Sequence, residues 1–384
     1  MTETPRRPAL ARRAIAVGAV LSMLLVGSAA AAGSSTTVSG SVFVDYWWLD
    51  SKTAMKRAST ATSATIDGAL KIGVDVNDDV AFSSKACISC HGVELESLQV
   101  DYMPRTWFNV QAGRISVPFG DYHARVDQSG HKTVSAPLIY DMGRMVYGEK
   151  AAFNLGVLPM PYVDNGVLVY GQKFLGPVQA WYGVYGTGGL RGSNDIEWTS
   201  MRALYYTDSN RLPAGGGRLS FTYAAGTEGL LKDSTVGFSF TAGRYDRDAV
   251  LGYAVWGADA TVGVGPVTLR GEYAWRRTDL SPAATYAFET PDLWLRKDGF
   301  YVEAEAPVAT DLAGVVRYDA LRRTGVPLPG AAKGLSQDSV IDRTTFGLVY
   351  TPATSLYAKL GYEYWRSNDF PAFHSIHLGF GGAF

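Results

Sequence analysis

Val267-Thr268-Leu269-Arg270-Gly271-Glu272-Tyr273-Ala274-Trp275-Arg276 is the stretch on which the fold turns. One parity carries Val267, Leu269, Gly271, Tyr273 and Trp275, and the other carries Thr268, Arg270, Glu272, Ala274 and Arg276. Side chains of an extended strand point alternately to two faces, so this run has one aliphatic and aromatic face and one charged face. Stretch 356–364 repeats it: Leu356, Ala358, Leu360, Tyr362 and Tyr364 share a face, while Tyr357, Lys359, Gly361 and Glu363 share the other. Near the start, Val38, Gly40, Val42, Val44, Tyr46 and Trp48 alternate with Ser39, Ser41, Phe43, Asp45 and Trp47. Arg, Glu and Lys on a second face throughout the chain need water on that side, which a two-sheet sandwich supplies poorly. Lipid outside and a wet lumen inside supply it at every strand, with aromatics gathering at the strand ends.

Composition agrees. The 384 residues include 43 Gly, 22 Tyr, 9 Trp and 16 Phe with only 18% charged residues, which argues for one large β structure and against a helical protein. The formal net charge of −1 provides no general basic field for nucleic acid or an anionic membrane surface. Residues 1–32 read as a signal peptide: Arg6, Arg7, Arg12 and Arg13 precede the apolar run Ala14 to Val26, and small residues from Ser28 to Gly33 suit cleavage. The expected mature unit is 33–384, placed in the bacterial outer membrane.

Turn signals at Asn77 to Asp79, Pro104 to Thr106, Leu175 to Pro177, Gly265 to Pro266, Thr310 to Asp311 and Thr354 to Ser355 mark short periplasmic connections. The segments between them number sixteen, from 37–49 to 374–384, and include 197–207 and 218–226. Each is close to the ~10 residues a tilted strand needs to cross. Val236 to Tyr245 also alternates; adding it with a further strand near 152–160 gives the alternative of eighteen. The expected fold is therefore an all-β transmembrane antiparallel barrel, with a long loop over 119–164 that folds inward.

The last strand, Ile376, Leu378, Phe380, Gly382 and Phe384 on one face, resembles the assembly signal of bacterial outer-membrane proteins. Val100-Asp101-Tyr102, a short turn, and then Ala112-Gly113-Arg114-Ile115-Ser116-Val117-Pro118-Phe119-Gly120 resemble the phosphate-selective porin superfamily, whose members carry an AGR-x-x-x-PFG strand before a long loop. The likeness covers about 25 residues together with the overall architecture, and it implies the fold more than the solute.

Cys87-Ile88-Ser89-Cys90-His91 holds the only two cysteines, followed at once by one of five histidines. C-x-x-C-H is the spacing of c-type haem attachment: two thiols reach the two vinyl carbons of one porphyrin edge and the adjacent imidazole serves as proximal ligand. The competing reading is an unmetallated pair oxidised to a small disulfide. A thioredoxin-like site lacks its βαβ context, and zinc lacks a fourth soft ligand. The motif falls in a loop at 85–92, between the third and fourth strands, at the extracellular end. His123 and His131 in the long loop are the first candidates for the sixth iron position, followed by His377 at a lumen-facing parity and by Met142, Met145 and Met160. Arg114, Arg125, Lys132 and Arg144 are candidate pore-selectivity residues, set against Asp121, Asp127, Asp141 and Glu149.

Two functions follow. The leading one is a monohaem c-type cytochrome porin, similar to fused cytochrome and porin proteins, that carries electrons across the outer membrane by extracellular electron transfer or by oxidation of an external donor such as Fe(II). One haem does not cover ~30 Å of hydrocarbon, so a periplasmic or extracellular redox protein is an expected partner. The alternative is a general or anion-type diffusion porin with a structural or sensory haem. Enzymatic activity is not expected, and a homotrimer is expected by analogy with porins.

Overall fold

The computed structural model describes residues 34–50, 62–89, 92–140, 145–147, 152–154, 156–192, 196, 212–224, 231, 233–280, 293–324, 338–368 and 371–384. The signal peptide, Cys90, His91, Arg144, Met142 and the expected strand 197–207 lie outside these residues.

The first strands are β1 Ser35–Asp50, β2 Thr62–Asn77, β3 Val80–Ser89, β4 Gly92–Arg105 and β5 Phe108–Ser116. Inside the long loop come β6 Met145–Tyr147 and β7 Ala152–Asn154, followed by β8 Val163–Leu175, β9 Val178–Thr187, β10 Ala214–Tyr223 and β11 Thr235–Arg244. The wall then runs through β12 Gly252–Val264, β13 Val267–Asp279, β14 Trp294–Ala309 and β15 Leu312–Thr324. It ends with β16 Asp338–Ala353, β17 Leu356–Ser367 and β18 Phe373–Ala383. All but β6 and β7 form one closed antiparallel barrel of sixteen strands in chain order, sealed by β1 against β18 from Ser41↔Ala383 to Asp50↔His374. Gly40 and Phe384 complete the seam by exchanging backbone hydrogen bonds of 3.0 and 2.9 Å. A closed barrel satisfies every backbone group without an edge, as a spanning sheet must.

Three expectations are corrected. Val236 to Tyr245 is a wall strand, β11, paired with β10 and β12. The strand near 152–160 shrinks to β7, which pairs only with β6 and stays out of the wall, so eighteen barrel strands do not form. The C-x-x-C-H segment is no eight-residue loop: β3 runs through Cys87 to Ser89 and pairs with β4 as far as Ser89↔Gly92. The strand persists because Ala86 and Ile88 continue the outward apolar parity that begins at Phe82.

The faces follow the alternation. Val42, Val44, Tyr46 and Trp48 are exposed on the outside, whereas Phe43 and Asp45 between them are 1% and 2% exposed. Leu269 is exposed while Glu272 and Arg276 are buried, and Leu360 and Tyr362 are exposed while Lys359 and Glu363 are buried. An apolar exterior over a charged interior, closed on itself, makes this a barrel of the bacterial outer membrane. The core therefore sits in the lumen, where Phe119, Tyr122, Leu138, Ile139, Tyr140, Val157 and Leu158 pack against Val255, Ala274, Tyr301, Leu321, Ile341 and Trp365 of the wall.

Candidate functional site

The segment that fills the lumen is the 117–162 connection between β5 and β8. Its neck is closed by Val117 N–H donating to the Tyr162 carbonyl at 2.9 Å. Gly113 sits inside β5 where its pairing with β4 is ending: at φ +127° it holds a conformation that side-chain-bearing residues avoid, and a Cβ there would run into the Leu98 carbonyl. Gly120, at φ +70°, makes a turn, pressed so closely on the Glu272 carboxylate that a Cβ would overlap it.

From there the loop is bonded to the wall at successive points. Gly120 N–H donates to Ser239 Oγ on β11 at 3.1 Å. Glu272 on β13 accepts from the Tyr140 hydroxyl, from Tyr301 OH at 3.4 Å and from Tyr122 N–H at 3.4 Å. Arg125 pairs with Asp121 at 2.9 Å and donates to Tyr301 OH on β14 at 3.4 Å. Asp127 binds Lys71 on β2 at 2.5 Å and Lys85 on β3 at 2.6 Å. Lys359 on β17 donates to the carbonyls of Gln128, His131 and Thr133 at 2.5, 2.7 and 3.2 Å. Arg317 on β15 donates to Thr133 Oγ1 at 2.7 Å and to the Ser135 carbonyl at 2.9 Å, and Arg343 on β16 donates to the Ala136 carbonyl at 2.5 Å. Leu138 N–H donates to Asp319 Oδ1 at 3.0 Å, and Arg276 closes the return leg on the Val157 carbonyl at 3.2 Å. Buried carbonyls of an irregular segment need donors, and the wet face of the barrel supplies them.

His123 and His131 both lie in this packed loop. His131 Nδ1 bonds the carbonyls of Arg125 and Asp127 at 3.0 and 2.9 Å, while His123 Nδ1 accepts from Tyr162 N–H at 3.4 Å. Among the described residues the Nε2 atoms of both are buried and find no hydrogen-bond partner. Burial, reinforced by Arg218, pushes the His123 imidazole down to about 3, and burial with Lys359 nearby holds His131 well below its ordinary value. Burial opposes the ionised form of Asp127, but Lys85 and Lys71 outweigh it and hold the carboxyl below its usual range.

Cys87 presents its thiol to the lumen from β3, where Sγ donates to Glu96 Oε2 at 2.8 Å beside a Lys85–Glu96 ion pair of 2.7 Å. Because Lys85 also holds Asp127, the turn carrying His131 is brought against the strand carrying Cys87. His123 instead packs on Tyr140 and Tyr162, with ring centroids 4.7 and 5.9 Å away. His377 faces the lumen between Asp45 at 3.5 Å and Glu363 at 3.3 Å, His374 lies outside with Tyr362 and Tyr364, and Met160 packs on the lumen core. Arg114 donates to the Leu95 carbonyl at 3.1 Å, and Lys132 stands 3.9 Å from Glu305. Among the described residues no group of three or more His, Cys, Asp or Glu side chains is placed to hold a metal ion. Sequence reading did not single out Glu272, Arg317, Arg343 and Lys359 as loop anchors; their signal was a charge at the wet parity of a strand, shared with many other residues.

No protein-family model and no curated protein matches the chain. Solved structures do. The trimer form of in-vitro folded OmpT of Vibrio cholerae is similar, with a TM-score of 0.52 at 11% identity, covering 92% of this chain and 100% of that one. The outer membrane channel DcaP of Acinetobacter baumannii gives 0.55 at 12% identity, over 92% and 98%. OmpF of Salmonella typhi in complex with daunomycin gives 0.56 at 11%, also over 92% and 98%. At these identities the likeness is one of fold: the chain is an outer-membrane β-barrel of porin architecture.

Proposed function

We propose that this protein is a diffusion channel for small hydrophilic solutes, its bore set by the 117–162 loop. One observation carries the reading. The loop is fastened by buried polar contacts to β11 and β13–β17 and by Asp127 to β2 and β3, and it packs on Leu168 and Tyr185 of β8 and β9, while toward the 175–178 and 105–107 turns the lumen face of β4, β5, β8 and β9 keeps Gln99, Gln111, Tyr170, Gln172, Gln179 and Trp181 partly exposed. In this reading the bore runs along that partly exposed stretch. Charges near the loop are paired within themselves, as in Asp121–Arg125, Asp127–Lys71 and Arg218–Asp259, which supports weak ion selectivity. The test is reconstitution of the purified chain into planar bilayers: stepwise ohmic current with a cation-to-anion permeability ratio within about threefold of unity supports the channel, and electrically silent insertion defeats it. The trimer form of the OmpT structure supports a homotrimeric assembly here, checked by cross-linking in detergent.

A second reading is favoured by the placement of Cys87 beside the turn of His131, whose buried Nε2 has no partner among the described residues. In it, Cys87 and Cys90 hold a haem c through thioethers, His91 is the proximal ligand, and His131 or His123 takes the other position. The haem would supply one-electron chemistry shared with a periplasmic or extracellular redox protein. The Glu96 carboxylate bonded to Cys87 Sγ must then give up that hydrogen bond. Haem-stained electrophoresis of outer-membrane fractions decides: stain that disappears in Cys87→Ala/Cys90→Ala supports it, and an unstained wild type removes it.

A further inference from the structure

We propose that the lumen wall of β4, β5, β8 and β9 is a binding track for neutral polyhydroxylated solutes, of which sugars are the representative class. The proposal rests on the diffusion-channel reading and names the solute for which its partly exposed stretch is built.

The platform is a pair of rings. Tyr170 on β8 and Trp181 on β9 stack with centroids 6.2 Å apart and planes inclined by 29°, both partly exposed and both at the lumen parity of their strands. Gly183 lies two residues beyond Trp181 at the same parity, and a Cβ there would stand 2.8 Å from the indole Cη2. The missing side chain leaves the indole room against the wall beside Tyr170, and in the track its partly exposed face fronts the bore. Such a face takes the C–H side of a sugar ring, and an indole N–H at its edge serves a hydroxyl.

Around the rings the polar groups are amides. Gln111 Nε2 donates to Asp101 Oδ1 at 2.7 Å, and Gln179 Nε2 donates to Gln172 Oε1 at 2.6 Å. Hydrogen bonds within the described residues leave unused the Gln111 and Gln179 carbonyls, the Gln172 Nε2 and the Trp181 N–H. Gln99 adds a buried Oε1 with no partner among the described residues. Asp101, the one formal charge among these side chains, already accepts from Gln111, from Gln99 Nε2 at 3.4 Å and from Tyr170 OH at 3.4 Å, all neutral donors. Asp101 has no counterion among the described residues, but a track meant for ions would line up several such charges, and here one carboxylate stands among neutral side chains. Alternating amide donors and acceptors beside a flat aromatic face instead match a hydroxylated, uncharged solute, whose hydroxyls each donate and accept.

Two measurements with maltotriose as the probe test this. In planar bilayers, maltotriose blocks the ion current of the wild type in a concentration-dependent manner. Trp181→Ala raises the half-blocking concentration by about tenfold, the loss expected for one aromatic stacking platform, and Trp181→Phe, which keeps a ring, raises it by about threefold or less. In detergent, where no current is needed, maltotriose changes the tryptophan fluorescence of the wild type, and the change disappears in Trp181→Phe. No fluorescence response up to about 0.1 M sugar, or a response that persists in Trp181→Phe, overturns the track. Equal half-blocking concentrations in wild type and Trp181→Ala also overturn it. A wild type that carries no current defeats the channel reading alone, because the fluorescence titration still decides whether sugar binds at Trp181.

Discussion

Arg317 has no exposed side-chain surface, yet it serves the Thr133 hydroxyl, the Ser135 and Ala136 carbonyls and the carboxylate of Asp319. Removing it strands those acceptors in a buried place, where an uncompensated partner costs about 3–5 kcal/mol. Arg317→Leu is therefore expected to undock the loop while the wall stays closed, seen as larger, noisier single-channel current and as tryptic cleavage at Lys132 in the folded barrel. A variant with wild-type current and protease resistance would show that the latch is elsewhere. Glu272→Gln keeps one acceptor for the Tyr140 hydroxyl and is expected to cost less, about 1–2 kcal/mol. These partners were not legible in the chain: Arg317 and Ser135 are 182 residues apart. Alternation tells which face a charge is on, never which loop residue it meets.

Among the elements, β11 and β10 mark the boundary of what alternation can reveal. Fifteen of the sixteen expected segments correspond to wall strands, but the one at 197–207 took the place that belongs to β11. The start of β10, Ala214-Gly215-Gly216-Gly217, has three glycines in a row and so almost no side chains to alternate; it is a strand because its backbone pairs with β9 and β11, and its bareness admits the Tyr185 ring at Gly216. The loop has its own pH dependence. His123 and His131 are neutral when docked and their imidazole values are depressed, so the released loop binds protons that the docked loop refuses. Docking is then at full strength above the ordinary imidazole value near 6.5 and weakens as the pH falls from there, for His123 by up to about 1.4 kcal/mol per pH unit down to about 3, with His131 adding to the loss in the same direction. Asp127, depressed by Lys85 and Lys71, adds a further loss only below the usual carboxylate range. Channel current at pH 7 and pH 4.5 measures it: the acid should raise conductance or flicker in the wild type, and less in His123→Gln/His131→Gln. Identical acid responses would remove the histidines from the account.

At the scale of the whole molecule the barrel inverts the usual soluble arrangement, with Phe238, Val302, Phe346 and Phe380 at 50–59% exposure outside and Arg276, Arg317, Arg343 and Glu363 fully buried inside. That inversion was legible from Val267 to Arg276 alone, because lipid and water impose opposite chemistry on alternate residues all round the wall. What it could not convey was that the loop would fill so much of the lumen, since loop docking depends on shape and on distant partners. The inversion makes a quantitative forecast. Val302 lies near the middle of β14 and is 53% exposed. An arginine there would meet hydrocarbon, so Val302→Arg is expected to lose about 2–4 kcal/mol in reversible urea unfolding from lipid vesicles. Thr222 on β10 is at the lumen parity, where its hydroxyl shares a hydrogen bond with Thr235 at 2.9 Å, so Thr222→Arg should cost under about 1 kcal/mol in the same assay because its guanidinium finds water. The sign of the difference is the test. If the two arginines cost the same, or the lumen one costs more, the assignment of lipid to the outer face and water to the inner one is wrong, and with it the channel, the docked loop and the sugar track.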